Sequence, residues 1–423
     1  MSAMEHENPT RPASLQPGVG VTVEVGIDRM VAGGLGLGHD ADGRVVLVEG
    51  ALPGERVRAE LTESKPRMAR GFVAEMLTAA PDRVTPPCPE VSAGCGGCDL
   101  QFAPPTRQWS LKTAIVADAL QRIGRLGGVP IVLGRRLPSE AYRTSLRCGV
   151  LDGRAGFRRR RSSQIHPVAT CLIAHPLLAE VIQHGRFPDA DEVSIRAGAR
   201  TRERLVLVGP SVGATTLDGL SIPGDVVVVG DDELRAGGAA WFHEVVAGRR
   251  FRISARSFFQ ARPDGAEALV DAVARAIAPF DPASDRLVDL YGGVGLFTSA
   301  LGAENAELVE RSSSSIADAR VNLEDLRTRI TRTAVEKWRP SPADVVVADP
   351  ARGGLGAAGA AAVIATGAER VALVSCDPAS LARDARLLVD GGYEVLGVEV
   401  IDLFPHTHHV EAVTTLRRVG RVG

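Results

Sequence analysis

Cys376 ends an apolar run, Val371-Ala372-Leu373-Val374-Ser375, and stands directly before Asp377-Pro378. A strand that gives way to a loop at that point presents its last side chain at the rim of a sheet, where open α/β sheets bind ligands. A thiolate in such a place is a strong nucleophile and adds to electron-poor double bonds. The plainer alternative is a small core cysteine. A carboxylate that could share the same pocket is Glu411. It follows Phe404-Pro405-His406-Thr407-His408-His409-Val410 and leads into a last strand-like run, Ala412-Val413-Thr414-Thr415-Leu416. Position alone does not make Glu411 a base. The three histidines before it lack the clear partner set of a zinc site and read as loop hydrogen-bonding groups.

A second set of residues points to a ligand. Arg286-Leu287-Val288-Asp289-Leu290-Tyr291-Gly292-Gly293-Val294-Gly295 is an apolar strand that ends in Asp289 and turns through glycines into a helix. The pattern is Asp-x-x-x-Gly-x-Gly, and its glycines let the backbone turn sharply and approach a ligand closely. Glu310 closes the next apolar run, where an acid can accept hydrogen bonds from ribose hydroxyls. Together they imply an adenosine-containing ligand, either NAD or S-adenosylmethionine. The run Asp344-Val345-Val346-Val347-Ala348 breaks at Asp349-Pro350 in the same way, so Asp289, Glu310, Asp349 and Cys376 are expected on one rim.

Four of the six cysteines form a third set. Cys88-x6-Cys95-Gly96-Gly97-Cys98 places three thiols on one loop, and Cys171 lies beyond. Clustered cysteines outside an oxidising compartment suggest metal rather than disulfides. Four thiolates suit a [4Fe–4S] cluster and zinc equally. Cys148 reads as a core residue, although it could replace Cys171.

These residues need elements to hold them, and 423 residues suit two or three domains. Residues 1–17 read as a disordered tail without the apolar core of a signal peptide. Residues 18–80 show about five short strands with Gly turns, an OB-like barrel of the kind that often holds nucleic acid. Within it, the glycines of Gly33-Gly34-Leu35-Gly36-Leu37-Gly38 are read as turns. Residues 81–255 form a central α+β domain, opened by the cysteine loop and a helix near 106–126. Residues 256–423 alternate helix and strand, the signature of a Rossmann-like α/β sheet. No apolar run is long enough to span a membrane, and the chain is expected to be cytoplasmic. Of 49 basic residues only Lys65, Lys112 and Lys337 are lysine, and the formal net charge is −2. The overall charge therefore does not point to nucleic acid. Arg143 to Arg161, however, carries seven arginines against one acid, and such a stretch either tracks phosphates or forms a solvated hairpin.

Taken together, Ser257-Phe258-Phe259-Gln260, the Asp289–Gly295 turn, Asp349-Pro350-Ala351-Arg352-Gly353-Gly354, Ser375-Cys376-Asp377-Pro378 and the Phe404–Glu411 segment resemble the RNA 5-methyluridine methyltransferases. The resemblance is to their 23S ribosomal RNA branch, which carries an N-terminal TRAM domain and an iron–sulfur cluster. It covers nearly the whole chain and implies a class I methyltransferase domain at the C-terminus. It also implies roles. Cys376 matches the nucleophile that adds to carbon 6 of uracil, and Glu411 the base that removes the carbon-5 proton. Gln260, Tyr291, Glu310 and Asp349 match the S-adenosylmethionine-binding positions. Cys88, Cys95, Cys98 and Cys171 match the [4Fe–4S] ligands, with zinc as the alternative. The implied partner is RNA, most of all ribosomal RNA, with no obligate protein partner. Gly292, Asp377 and Ala351 depart from the family's usual Cys, Asn and Pro, but none of them is a catalytic group. Four other readings compete: a transfer RNA uridine-C5 methyltransferase, a catalytically inactive RNA-binding assembly factor, a nicotinamide oxidoreductase and a cytosine methyltransferase.

Overall fold

The computed structural model describes residues 19–209 and 219–420, so the expected tail at 1–17 lies outside the described residues. Two compact units divide at Arg83 and Val84. The first is a closed barrel of strands β1 (Thr22–Val31), β2 (Leu35–His39), β3 (Val45–Glu49), β4 (Arg56–Ser64) and β5 (Met68–Thr78), in the order β1-β2-β3-β5-β4. Alternate residues fill its interior, among them Val25, Ile27, Val46, Val48, Val57 and Leu61.

The glycine-rich segment corrects the turn reading, because Leu35–His39 is a full barrel strand. Its glycines are there for close approach. A Cβ on Gly38 would stand 2.0 Å from the Gly26 carbonyl oxygen, and one on Gly36 would stand 2.9 Å from Ile27 Cγ2. Only Gly33 and Gly34, both with positive φ, serve the turn itself.

The second unit opens with a short helix α1 (Pro89–Ser92) inside the cysteine loop, then α2 (Pro105–Arg122) and β6 (Ile131–Leu133). There follow β7 (Ser145–Leu151), β8 (Arg154–Arg158), β9 (Ile165–Pro167), α3 (Pro176–His184), β10 (Glu192–Ala197), β11 (Arg204–Gly209) and β12 (Val227–Gly230). Those six strands make one sheet in the order β12-β11-β10-β7-β8-β9. After α4 (Asp231–Arg235) comes a hairpin, β13 (Trp241–Val246) and β14 (Arg249–Ser254).

The rest is an alternating α/β chain: α5 (Pro263–Ala276), β15 (Leu287–Leu290), α6 (Leu296–Ala300), β16 (Ala306–Glu310), α7 (Ser313–Asn322), β17 (Thr328–Arg332), β18 (Val345–Ala348), α8 (Gly356–Ala365), β19 (Arg370–Ser375), α9 (Pro378–Asp390), β20 (Tyr393–Ile401) and β21 (Glu411–Arg418). The sheet order is β17-β16-β15-β18-β19-β21-β20-β6. Strands β15 to β19 run parallel and β21 runs antiparallel to β19. The strand cores are continuous apolar runs, as expected when both faces are covered by helices.

Two early elements belong to this sheet. β6 pairs with β20, and Val116, Ala119 and Leu120 of α2 pack with Leu381 and Ala382 of α9. Among the described residues no helix is long and apolar enough to cross a membrane.

Candidate active site

Parallel strands with helical crossovers put all their carboxyl ends on one rim. Tyr291 follows β15, Glu310 ends β16, Asp349 follows β18 and Cys376 follows β19. β21 enters from the same rim in the opposite sense. Its register pairs Ser375 with Ala412, so the next step along the ladder sets Cys376 across from Glu411. Glu411 is buried and Cys376 half-buried.

These groups feel one another. Burial pushes the Cys376 thiol up to about 12, helped by the charges of Glu411 and Asp349 and opposed by Arg352. Burial, and then Asp349, raises Glu411 well above the ordinary carboxylate range. Asp349 is itself raised by burial and by Asp289. Asp289 is pushed up to about 6 by burial, with Glu310 adding to the rise and Thr298 opposing it. Glu310, Asp289, Asp349, Glu411 and Cys376 therefore form a chain of interacting acids along the rim.

Such a pocket gathers several buried carboxyl groups whose charged forms lack partners, and this tests which ligand it fits. The Oδ2 atom of Asp289 accepts from the Thr298 N–H at 3.2 Å and hydroxyl at 2.7 Å, while Oδ1 is buried without a partner. The glycine turn is held open beside it. Glu310 accepts from the N–H groups of Gly293, Arg311 and Ser312, and Gly295 has a φ of 91°. Tyr291 takes a φ of 60°, and a Cβ on Gly359 of α8 would stand 3.1 Å from its hydroxyl oxygen. An acid-rich pocket with an orphan buried carboxylate oxygen suits a cationic ligand, and a sulfonium with an ammonium group meets that demand better than a dinucleotide does.

Gln260 is buried on the loop after β14. Arg196, also buried, holds this loop by donating to the carbonyls of Ser254, Ala255 and Ser257. Its residues divide their work. The Ser257 hydroxyl donates to Asp318 at 2.5 Å, Phe259 packs on Phe251 at 5.5 Å, and Phe258 is 69% exposed.

The four matched cysteines line one cavity of about 250 Å³, together with Arg143, Arg147 and His409. Burial pushes Cys98 up to about 12, and Cys171, Cys95 and Cys88 each add to it. The Gly97 N–H donates to Cys95 Sγ at 3.4 Å. Cys148 does not line the cavity and is fully buried in β7. Four thiols lining one cavity, with arginines beside them, offer the donor chemistry of an anionic metal–thiolate group. As they stand, no three His, Cys, Asp or Glu side chains among the described residues are drawn into ligating positions. Part of the basic run serves this loop, with Arg159 donating to the Ala93 carbonyl and Arg160 to that of Cys98.

Comparison with known proteins decides the family. A protein of Streptomyces avermitilis described as an uncharacterized RNA methyltransferase is 37% identical over 433 residues, spanning 95% of this chain and 100% of its own length. One from Streptomyces coelicolor with the same description is 37% identical over 442 residues, spanning 97% of this chain and 95% of its own. The chain belongs to this RNA methyltransferase family. The TRAM domain family matches residues 18–74, which cover the barrel as far as the middle of β5. The fold is shared with the crystal structure of Pyrococcus abyssi tRNA (uracil-54, C5)-methyltransferase in complex with S-adenosyl-L-homocysteine. The TM-score is 0.70 at 21% identity, over 93% of this chain and 99% of that one.

In this RNA methyltransferase, sequence reasoning placed Asp289 at the rim but did not assign it a site role, and it passed over Arg352 as a functional group. The orphan oxygen of Asp289 and the influence of Arg352 on Cys376 come from the three-dimensional arrangement. Asp99 was missed altogether. Its carboxylate holds His408, and 309 positions of sequence separate the two.

Proposed function

We propose that this chain methylates carbon 5 of a uridine in RNA, most of all in 23S ribosomal RNA, using S-adenosylmethionine. The observation that carries the reading is the register that sets Cys376 across from Glu411 at an acid-lined rim. Carbon 5 of uracil is a poor nucleophile until something adds at carbon 6. The Cys376 thiolate forms an Sγ–C6 bond, and the electrons of the C5=C6 bond move into an enolate. S-adenosylmethionine supplies the methyl group to carbon 5 and is left as S-adenosylhomocysteine. Glu411 then takes the carbon-5 proton. The released electron pair restores the C5=C6 bond and expels Cys376 as thiolate. Burial and Asp349 raise the basicity of Glu411, which suits it to take a carbon-bound proton.

Asp289, Asp349, Glu310, Gln260 and the Tyr291–Gly295 turn would hold the cosubstrate. Cys88, Cys95, Cys98 and Cys171 would hold a [4Fe–4S] cluster, with zinc as the alternative. RNA is held by the TRAM barrel and by the arginines of the Arg143–Arg161 stretch that remain exposed. Flipping the target base out of its stack costs about a few kcal/mol, which binding must offset.

The test is RNA carrying 5-fluorouridine, from which no proton can be removed at carbon 5. A denaturation-resistant protein–RNA adduct should accumulate with the wild type and vanish in Cys376→Ala; persistence of the adduct in that variant would end the nucleophile assignment. Anaerobic purification should give a brown protein with about four irons per chain, and a colourless zinc protein would replace the cluster. A second substrate, transfer RNA, is favoured by the shared fold with an enzyme acting on transfer RNA uracil. Mapping 5-methyluridine in both RNA classes from a deletion strain separates the two.

A further inference from the structure

The turn that delivers Glu411 to the rim is held from outside its own domain sequence. Residues 402–410 connect β20 to β21, and His406 takes a φ of 69° within them. Tyr142 and Arg262 donate to the carbonyls of Pro405 at 3.1 Å and Leu403 at 3.4 Å, and three further anchors grip this turn in order. Lys112 donates to Asp402 at 2.6 Å and to the Phe404 carbonyl at 3.0 Å. The Gln108 side-chain oxygen accepts from the His406 N–H at 2.6 Å, while its nitrogen lies 3.2 Å from His406 Nδ1.

The last anchor comes from the cysteine loop. The N–H groups of Asp99 and Leu100 both donate to the His406 carbonyl, at 3.0 and 2.9 Å. The Asp99 carboxylate accepts from the His408 N–H at 2.8 Å with one oxygen and pairs with His408 Nδ1 through the other. His408 is three residues before Glu411; between them His409 lies 3.4 Å from Arg352, and Val410 is buried in the cluster that α2 and α9 form. Asp99 is the residue after Cys98, and Thr407 and His409 line the cavity of the four cysteines.

We propose that Asp99 is a positioning residue for Glu411: by fixing the His406–His408 turn from the cysteine loop, it sets where β21 presents the carboxylate that removes the carbon-5 proton. This rests on the uridine-methylating reading above. It makes the cysteine loop a brace for one step of the cycle. Cys376 stands on β19, so a shift of this turn moves Glu411 directly and reaches Cys376 only through the pairing of β19 with β21; the brace therefore weighs more on proton removal than on attack. A carboxylate displaced by about 1 Å from its target loses about 10- to 100-fold in rate.

The experiment separates the two steps in the full-length protein. Adduct formation with 5-fluorouridine RNA measures attack and methyl transfer; adduct accumulated with ordinary uridine RNA measures slow elimination. Asp99→Ala should form the 5-fluorouridine adduct at a rate within about twofold of wild type, yet accumulate adduct with uridine RNA because elimination is about 10- to 100-fold slower. Asp99→Asn keeps an oxygen to accept from the His408 N–H and should recover most of the elimination rate. His408→Ala leaves the cysteine loop unaltered and should reproduce the Asp99→Ala pattern, which excludes an effect exerted only through Cys98. Iron content is measured on each variant.

Release from uridine RNA at the wild-type rate in Asp99→Ala or in His408→Ala would overturn the proposal. So would a parallel loss of both steps in the two variants. Failure of the underlying reading looks different: Glu411→Gln would then accumulate no adduct with uridine RNA, or Cys376→Ala would still form one.

Discussion

Cys376, the proposed nucleophile, sits in a place that opposes its ionisation. Its thiol sits at about 12, raised by burial and by two acids, with Arg352 as the opposing influence. Removing one acid should therefore lower the thiol's pKa, and removing the arginine should raise it. At a fixed pH below both values, one unit of pKa changes the thiolate fraction tenfold, while the weaker nucleophilicity of the more acidic thiol takes back about threefold, leaving a net change of about threefold. Alkylation of Cys376 by iodoacetamide, followed by peptide mass spectrometry across pH 7–10, should thus be faster in Glu411→Gln and slower in Arg352→Ala, by about threefold for each unit of pKa shift. Unchanged rates in both would mean that these groups do not share the rim. At this scale the sequence was informative wherever a strand end coincided with a reactive side chain, as at Asp349 and Cys376. It was silent on Asp289 Oδ1 and on Asp99, because an unpartnered oxygen and a carboxylate that braces a distant turn leave no local pattern. The exposure of Phe258 beside buried Phe259 was equally hidden, since two adjacent phenylalanines look alike in a sequence.

At the scale of elements, α2 shows how a helix far from the site in sequence shapes it. Lys112 lies fully buried on that helix, and burial lowers its pKa while Asp402 opposes the fall. Breaking a buried pair strands the partner charge, which costs about 3–5 kcal/mol, whereas replacing both partners by apolar residues of similar volume is often neutral. Lys112→Ala should lower the unfolding free energy by about 3–5 kcal/mol in denaturant titrations, and Lys112→Met combined with Asp402→Leu should restore most of it. If the single change costs under about 1 kcal/mol, the pair is not what docks α2 on the turn. The helix itself was legible, expected near 106–126 and found at Pro105–Arg122. The barrel was legible as five strands, but β2 was not: its glycines were read for their freedom to turn, and their real reason is backbone contact, with the Gly26 carbonyl 2.0 Å from a Cβ on Gly38. A glycine used for closeness and one used for φ look the same in a sequence. Local context separates them only after the neighbouring strand is placed.

At the scale of the whole molecule, the alternating pattern after residue 256 reads as a self-contained α/β domain, and the fold does not respect that reading. The sheet is completed at its edge by β6, and the face over β20 and α9 is covered by Val116, Ala119 and Leu120 of α2. The turn before Glu411 takes hydrogen bonds from Asp99, Leu100, Gln108, Lys112 and Tyr142, and from Arg262 within the domain. A fragment of residues 256–423 would therefore expose an apolar helix face and leave the edge of β20 unpaired, where other chains can add. It would also strip the 402–410 turn of every anchor named above except Arg262. A fragment of residues 84–423 keeps all of these, since the barrel closes on itself and shares none of its strands with the large sheet. The longer fragment should be monomeric in size-exclusion chromatography and should be stabilised against heating by S-adenosylhomocysteine, with RNA affinity reduced by loss of the TRAM barrel. The shorter one should aggregate or show no stabilisation by the nucleoside. If residues 256–423 alone gave a sharp unfolding transition that shifted with the nucleoside, the sheet would be independent of α2 and β6. The bracing of Glu411 from the cysteine loop would then have to act on a turn that already holds its own shape.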